Sequence, residues 1–218
     1  MIKIENVEVF GWEAAIRGMR NPMNSWQYSD SYFTFVEDAE TNQRAKFEHF
    51  VGENDMKLMT SLVRAGSDHA KFLRMINVTL DITAPFYWWK EFSTYKVGTV
   101  ANSCSTMHKI HAKPFELGDF SHEQLMNGSL FLLHKTVDLL NEARENYLET
   151  KDKCWWWQMI QLLPTAYNQR RTVQLNYAVL RSMYHARKNH KLDEWRDFCA
   201  WIETLPYAKE LICNGSVV

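Results

Sequence analysis

The sequence has little of what secreted or membrane-embedded proteins need. Its 218 residues include four cysteines that form no CxxC pair, which disfavours a disulfide framework or a zinc knuckle. No run of about 18 apolar residues occurs, so no transmembrane helix is predicted. The first ten residues carry charges every few positions and lack the apolar centre of a signal peptide. We therefore expect a cytoplasmic protein with reduced thiols and no membrane partner.

The net charge is also small, and glycine and proline are few. The 25 Lys and Arg residues nearly balance the 26 Asp and Glu residues, for a net charge of −1, which argues against a nucleic-acid partner. The eight glycines and five prolines form no linker, and no internal repeat or low-complexity tract is present. We expect residues 1–218 to form a single domain.

Aromatic residues, by contrast, are abundant, with nine Trp, nine Tyr and twelve Phe. They can fill a large core, or they can line sites for flat ligands and partner subunits. Three consecutive tryptophans, 155–157, lie on a predicted helix too short to bury all three rings. This pattern predicts an intersubunit surface and hence a homo-oligomer, most simply a tetramer.

The hydrophobic periodicity predicts several helices and a few strands, hence an α+β protein with a small mixed or antiparallel sheet. Apolar residues alternate with polar ones at 1–10, 75–83 and 172–177, and a phase shift around Asn6 predicts a bulge or a break in the first strand. The longest predicted helix is 122–149, with a capping box at Ser121 and Gln124. We expect the strands 75–83 and 172–177 to lie in one sheet packed under that helix, and 24–42 to be rich in loops.

Two polar stretches are candidate ligand sites. The basic stretch 181–191 fits either a phosphate or other anion site, or a helix C-terminus whose cations match the macrodipole. The stretch 98–106, rich in small hydrogen-bonding residues, fits either a close approach to a ligand or a plain loop. His108 and His111 lack a third ligand nearby, so no metal site is predicted.

The order of several residues points to a known family. A strand runs into Ala84-Pro85 and an aromatic helix, and Asn102 then precedes Ser105 by three residues. Further on, Arg187 follows Asn176 by eleven residues, in the order Leu163, Pro164, Asn176, Arg187, His190, Trp195. This arrangement resembles the flavin-dependent thymidylate synthase (ThyX) family, whose hallmark is Arg-His-Arg, then seven residues, then Ser, with Asn three before the Ser.

The resemblance implies a ThyX-like single domain that binds FAD and forms a homotetramer whose flavin sites are built from several chains. It implies a hydride from NADPH and transfer of a one-carbon unit from methylenetetrahydrofolate to dUMP or a related anionic nucleotide. By position it implies catalytic roles for Ser105 and Glu91, and substrate binding by Ser105 and Arg187. It implies cofactor binding by four further residues: His69, Lys96, Asn102 and Asn176.

The departures from the family pattern are equally specific. In the place of the Arg-His-Arg tripeptide, only Lys96 remains as a cation. The second arginine after the Ser becomes Met107, a Gln of the nucleotide site becomes Glu91, and an Arg of the flavin site becomes Ala178. Because charge-assisted contacts contribute about 1.5–3 kcal/mol each, dUMP affinity should fall by several kcal/mol. Two hypotheses stay open: a divergent enzyme, or a non-catalytic ThyX-like scaffold or ligand-binding protein.

Overall fold

The computed structural model describes residues 2–36 and 46–215. The strands are β1 Lys3–Phe10, β2 Tyr32–Val36, β3 Lys46–Phe50, β4 Asn77–Pro85, β5 Val100–Ser103 and β6 Asn168–Asn176. The helices are α1 Trp12–Arg20, α2 Glu53–Arg64, α3 Phe86–Phe92, α4 Thr106–Lys109, α5 Asn127–Thr150, α6 Lys153–Leu162, α7 Tyr177–Arg187 and α8 Asp193–Ile202. Short 3-10 turns include Lys71–Arg74 and Leu117–Asp119, and a π turn covers Lys209–Cys213. The expected α+β class is confirmed.

A four-stranded antiparallel sheet, in the order β1-β4-β6-β5, forms the centre of the fold. Its middle pair, β4 and β6, stays in register along its whole length, which confirms that the two alternating segments share one sheet. Val78, Leu80 and Ile82 are fully buried on one face of β4. On β1 the register shifts between Glu5 and Glu8 around Asn6, whose φ is +52°. The strand continues from Lys3 to Phe10, so of the two predicted alternatives the structure has the bulge and not the break.

The sheet is not packed under the long helix, and that expectation is wrong. The buried sheet face joins one core with residues of α1, α3, α7 and α8, among them Trp12, Trp88, Trp89, Leu180 and Trp195. Helix α5 instead packs on α6 in a second, smaller core that contains Leu140 and Met159.

Helix α5 also begins at Asn127, five residues later than predicted. Ser121, the expected cap, is buried, and its Oγ donates to Asn168 Oδ1 at 2.9 Å. Its backbone N–H donates to the carbonyl of Ala166. These bonds tie residue 121 to the chain that enters β6, so the helix cannot start there.

The segment predicted to be rich in loops contains strand β2, paired with β3 as a separate two-stranded sheet. Residues 37–42 of that prediction lie outside the described residues. Within the described ranges, no helix combines the length and apolarity needed to cross a membrane. The same part of the chain contains no cluster of three or more side chains suited to hold a metal ion.

Candidate functional site

A polar cluster forms where the C-terminal end of α7 meets α3. Arg187 donates from Nη1 to Glu91 Oε2 at 2.9 Å and from Nε to the hydroxyl of Tyr95 at 3.0 Å. Glu91 Oε2 also accepts from Trp195 Nε1 at 3.1 Å, and His190 Nε2 lies 3.3 Å away. The guanidinium carbon of Arg187 is 5.0 Å from the Trp195 ring centroid, within range of a cation–π contact.

This cluster brings together two of the predicted site residues, Glu91 and Arg187, in a partly buried ion pair. The side chains of Arg187 and Glu91 are 22% and 35% exposed, so water screens the pair only in part. The carboxylate neutralises the arginine within the chain. An anionic ligand at Arg187 would have to compete with Glu91 for the same guanidinium.

Asn176 lies at the junction of β6 and α7, and its side chain caps the helix. Its Oδ1 accepts from the backbone N–H of Val179 at 3.1 Å. Gly98, with φ +78°, approaches it so closely that a Cβ there would lie 3.1 Å from Asn176 Nδ2. Lys96 is exposed in the same turn. The cap gives Asn176 a structural role whatever ligand it binds.

The stretch 98–106 is neither a plain loop nor a compact ligand loop, because most of it forms the edge strand β5 and the start of α4. Asn102 pairs with Thr172 and is exposed, so it lies on the open face of the sheet. Ser105 is the N-cap of α4, and its Oγ accepts from the backbone N–H of His108 at 3.0 Å.

Ser105 also lines a cleft of about 510 Å³ between α4, the 109–119 loop and the start of β6, which we call the Ser105 cleft. Two of its cations already have acidic partners. Arg170 Nη2 lies 2.6 Å from Asp81 Oδ2, and the hydrogen bond of Lys113 to Asp119 raises the pKa of that lysine. Arg187 is not among the residues lining this cleft.

A second cleft, of about 610 Å³, opens between the end of α2, the Lys71–Arg74 turn and α7, and we call it the α2–α7 cleft. Its charged and polar lining consists of Thr60, Arg64, Ser67, Arg74, Arg181, Ser182, Glu210 and Asn214. The predicted cofactor residue His69 is exposed in the turn that borders this cleft, but its side chain is not among those lining it.

Sequence reasoning missed several of these residues. Tyr95 stands in the tripeptide place, and its hydroxyl bond to Arg187 could not be read from spacing. Arg64 is a basic residue in the last turn of the twelve-residue helix α2, where the macrodipole already accounts for a cation, and Arg74 ends a four-residue 3-10 turn that has no sequence signature. Arg181 belonged to the basic stretch, and its position in a cleft favours the anion alternative over the helix-end one.

The comparisons with known proteins find structural similarity alone. No family model and no curated protein matches the sequence. Two solved structures of ThyX from Helicobacter pylori with FAD and dUMP are similar. One has a TM-score of 0.67 and 17% identity over 96% of this chain and 97% of the other. The second has a TM-score of 0.68 and 16% identity over 97% of both chains. The chain therefore has a fold similar to that of the flavin-dependent thymidylate synthases.

Proposed function

We propose that this protein is a divergent flavin-dependent thymidylate synthase-like enzyme, built from one ThyX-like domain over residues 1–218. It would bind FAD and transfer a one-carbon unit to dUMP or a related pyrimidine nucleotide. The observation that carries the proposal is the similarity to structures holding FAD and dUMP, which extends over 96% and 97% of this chain. FAD would supply the redox chemistry, with NADPH and methylenetetrahydrofolate as co-substrates.

The residues of the chain fit an anionic cofactor. Arg64, Arg74 and Arg181 line one cleft of a size typical of small-molecule sites. The cap that Asn176 provides fixes the start of α7, the helix that carries Arg181. The chain therefore supplies cations on fixed elements. In a cofactor enzyme the protein binds and orients the cofactor and sets the electrostatics around it.

The pair of Glu91 and Arg187 favours a second candidate function, a non-catalytic ThyX-like scaffold or ligand-binding protein. A carboxylate within 2.9 Å of the predicted substrate arginine lowers the potential available to a nucleotide phosphate. This observation also predicts that a nucleotide acceptor binds less tightly here than it would at a site whose arginine has no carboxylate partner.

Two measurements on the purified protein separate the candidates. Visible absorbance and the FAD released on denaturation test for flavin, followed by titration of the protein with added FAD. Loss of the C5 hydrogen of dUMP, assayed with methylenetetrahydrofolate and NADPH, then tests the transfer. We expect a yellow protein, and turnover that needs dUMP, methylenetetrahydrofolate and NADPH together. A colourless protein that takes up no FAD would select the non-catalytic candidate.

A further inference from the structure

The sequence contains the tripeptide Asn-Gly-Ser twice, at 127–129 and at 214–216. An asparagine followed by glycine is the pair whose side-chain amide is most easily attacked by the next backbone nitrogen, because glycine has no Cβ to obstruct the succinimide ring that forms. The two copies have the same local chemistry. Any difference in reactivity between them in the folded protein therefore comes from the structure around each copy.

The first copy lies at the start of a helix. Asn127 and Gly128 are the first two residues of α5. Ring closure needs a backbone angle ψ at the asparagine that differs from the helical value. The first turn of α5 must therefore unwind before Asn127 can react, so the helix suppresses the attack.

The second copy follows the π turn in extended backbone. Asn214 has φ −73° and ψ 139°, and both Asn214 and Gly215 are exposed. Among residues 2–36 and 46–215, no acceptor binds the Gly215 N–H, and no group binds the side-chain amide of Asn214. Neither the attacking nitrogen nor the amide that it attacks is therefore held away by a hydrogen bond of its own.

Arg181 is bonded to the peptide group that reacts. Its Nη1 donates to the carbonyl oxygen of Asn214 at 2.6 Å and to that of Ile212 at 2.9 Å, and a Cβ built on Gly215 would lie 3.4 Å from its Nη2. When the Gly215 nitrogen loses its proton, negative charge spreads onto the carbonyl oxygen of Asn214. A cation fixed at this oxygen stabilises the charge, as the donors of an oxyanion hole do.

We propose that Asn214 is a site of spontaneous deamidation that Arg181 accelerates. The Gly215 nitrogen gives its proton to water and bonds to Cγ of Asn214, while the side-chain nitrogen takes up a proton and leaves as ammonia. Water then opens the succinimide to aspartate or isoaspartate. In isoaspartate the α-carboxylate is free, and it contains the oxygen that Arg181 already contacts. The new negative charge lies in the α2–α7 cleft, whose lining includes Asn214, and offsets one of its three arginines.

Peptide mapping by mass spectrometry tests the site, because it measures both copies in one sample of the full-length protein incubated at neutral pH. We expect Asn214 to deamidate about tenfold faster than Asn127, or more, in the folded protein. In protein unfolded with guanidinium chloride the two rates should be equal, since the tripeptides are identical. A ratio of the two rates that is no larger in the folded than in the unfolded protein would overturn the proposal.

Substitutions of Arg181 separate stabilisation of charge from a merely structural role. Arg181→Gln removes the cation and also loosens the π turn. Loosening alone would speed deamidation at Asn214, whereas loss of the cation should slow it about tenfold. Arg181→Lys keeps the charge and should retain more of the rate. Asn127 reports unfolding in the same samples, and with its rate constant, deamidation of Asn214 that is unchanged or faster in Arg181→Gln contradicts the role of Arg181.

Discussion

At the scale of single residues, Asp55 connects three segments of the chain. It is fully buried, and its carboxylate accepts from Arg20 Nε at 2.6 Å, from the hydroxyls of Ser29 and Ser31, and from two backbone N–H groups. We expect Asp55→Asn to lower the free energy of unfolding by about 3–5 kcal/mol, because the buried Arg20 charge loses its partner. Urea unfolding followed by circular dichroism measures the loss. Asp138→Asn, in an exposed ion pair, should change stability by less than about 0.5 kcal/mol.

The same carboxylate predicts how stability depends on pH. Burial raises the pKa of Asp55, but hydrogen bonds from Ser31, Ser29 and Arg20 outweigh it, so the pKa lies below its ordinary value. A lowered pKa in the folded state means that the stabilisation is present above the ordinary carboxyl pKa, about 4, and is lost as pH falls below it. We expect the wild type to lose more stability than Asp55→Asn between pH 5 and 2. Parallel curves for the two proteins would contradict this account.

Glu91 offers the sharpest residue-scale test of the nucleotide site. Glu91→Gln removes the charge that neutralises Arg187 but can keep a hydrogen bond to Trp195. If Arg187 binds a phosphate, dUMP affinity measured by calorimetry should rise about tenfold, and Arg187→Ala should abolish the gain. Glu13→Gln, an exposed change on α1, serves as the control. An unchanged dUMP affinity in Glu91→Gln would show that Arg187 is not a phosphate ligand.

At the scale of elements, the join between β1 and α1 depends on a glycine. Gly11 has φ +93°, and a Cβ built there would lie 2.0 Å from the carbonyl oxygen of Met75. We expect Gly11→Ala to lower the unfolding free energy by more than about 3 kcal/mol, since backbone must move to relieve the contact. Gly128, near the start of α5, has no atom within 4 Å of its would-be Cβ. Gly128→Ala should therefore leave stability unchanged or raise it by about 0.5 kcal/mol.

The elements that the sequence predicts well are those with one buried face. Apolar and polar residues alternate along strands β4 and β6 because one side of each strand contacts the main core. This burial gives the sequence pattern a period of two residues. Strand β5 is exposed at all four residues and lies at the sheet edge, so it carries no alternation to recognise. The helical periodicity of α5 marks its apolar face, but which core that face joins is decided by tertiary contacts.

The sequence likewise indicated some residues of the candidate site but not the contacts between them. The family resemblance singled out Glu91 and Arg187, yet their contact joins residues 96 positions apart, and no local pattern encodes it. The cation cluster of the α2–α7 cleft likewise assembles from α2, the Lys71–Arg74 turn and α7. Only Arg181 belonged to a stretch that the sequence marked as basic. The roles of His69, Lys96, Asn102, Asn176 and Ser105 stay predictions.

At the scale of the whole molecule, the expected homotetramer also stays a prediction. In the structure, the exposed apolar surface that supports it lies on α5 and not on the tryptophans of α6. Trp156 Nε1 donates to the carbonyl of Met107, so one ring of the tryptophan triplet already has a partner within the chain. On α5, Phe131, Leu132 and Leu139 are 64%, 66% and 52% exposed. Leu132 and Leu139 are seven residues apart and lie on one side of the helix. A helix of 24 residues is about 36 Å long, which suffices for an interface of standard size.

A pair of charge-introducing substitutions tests this surface. We expect light scattering at micromolar concentration to give four times the 25.8 kDa mass of the chain. Leu132→Glu/Leu139→Glu should give monomers or dimers, because burying four carboxylates across a two-fold interface is strongly unfavourable. The far-UV circular dichroism should not change, since both positions are exposed within the chain. His134→Glu, an exposed change on the other side of the same helix from Leu132 and Leu139, should stay tetrameric. A wild-type protein that is monomeric at micromolar concentration would remove the prediction, together with any flavin site built from several chains.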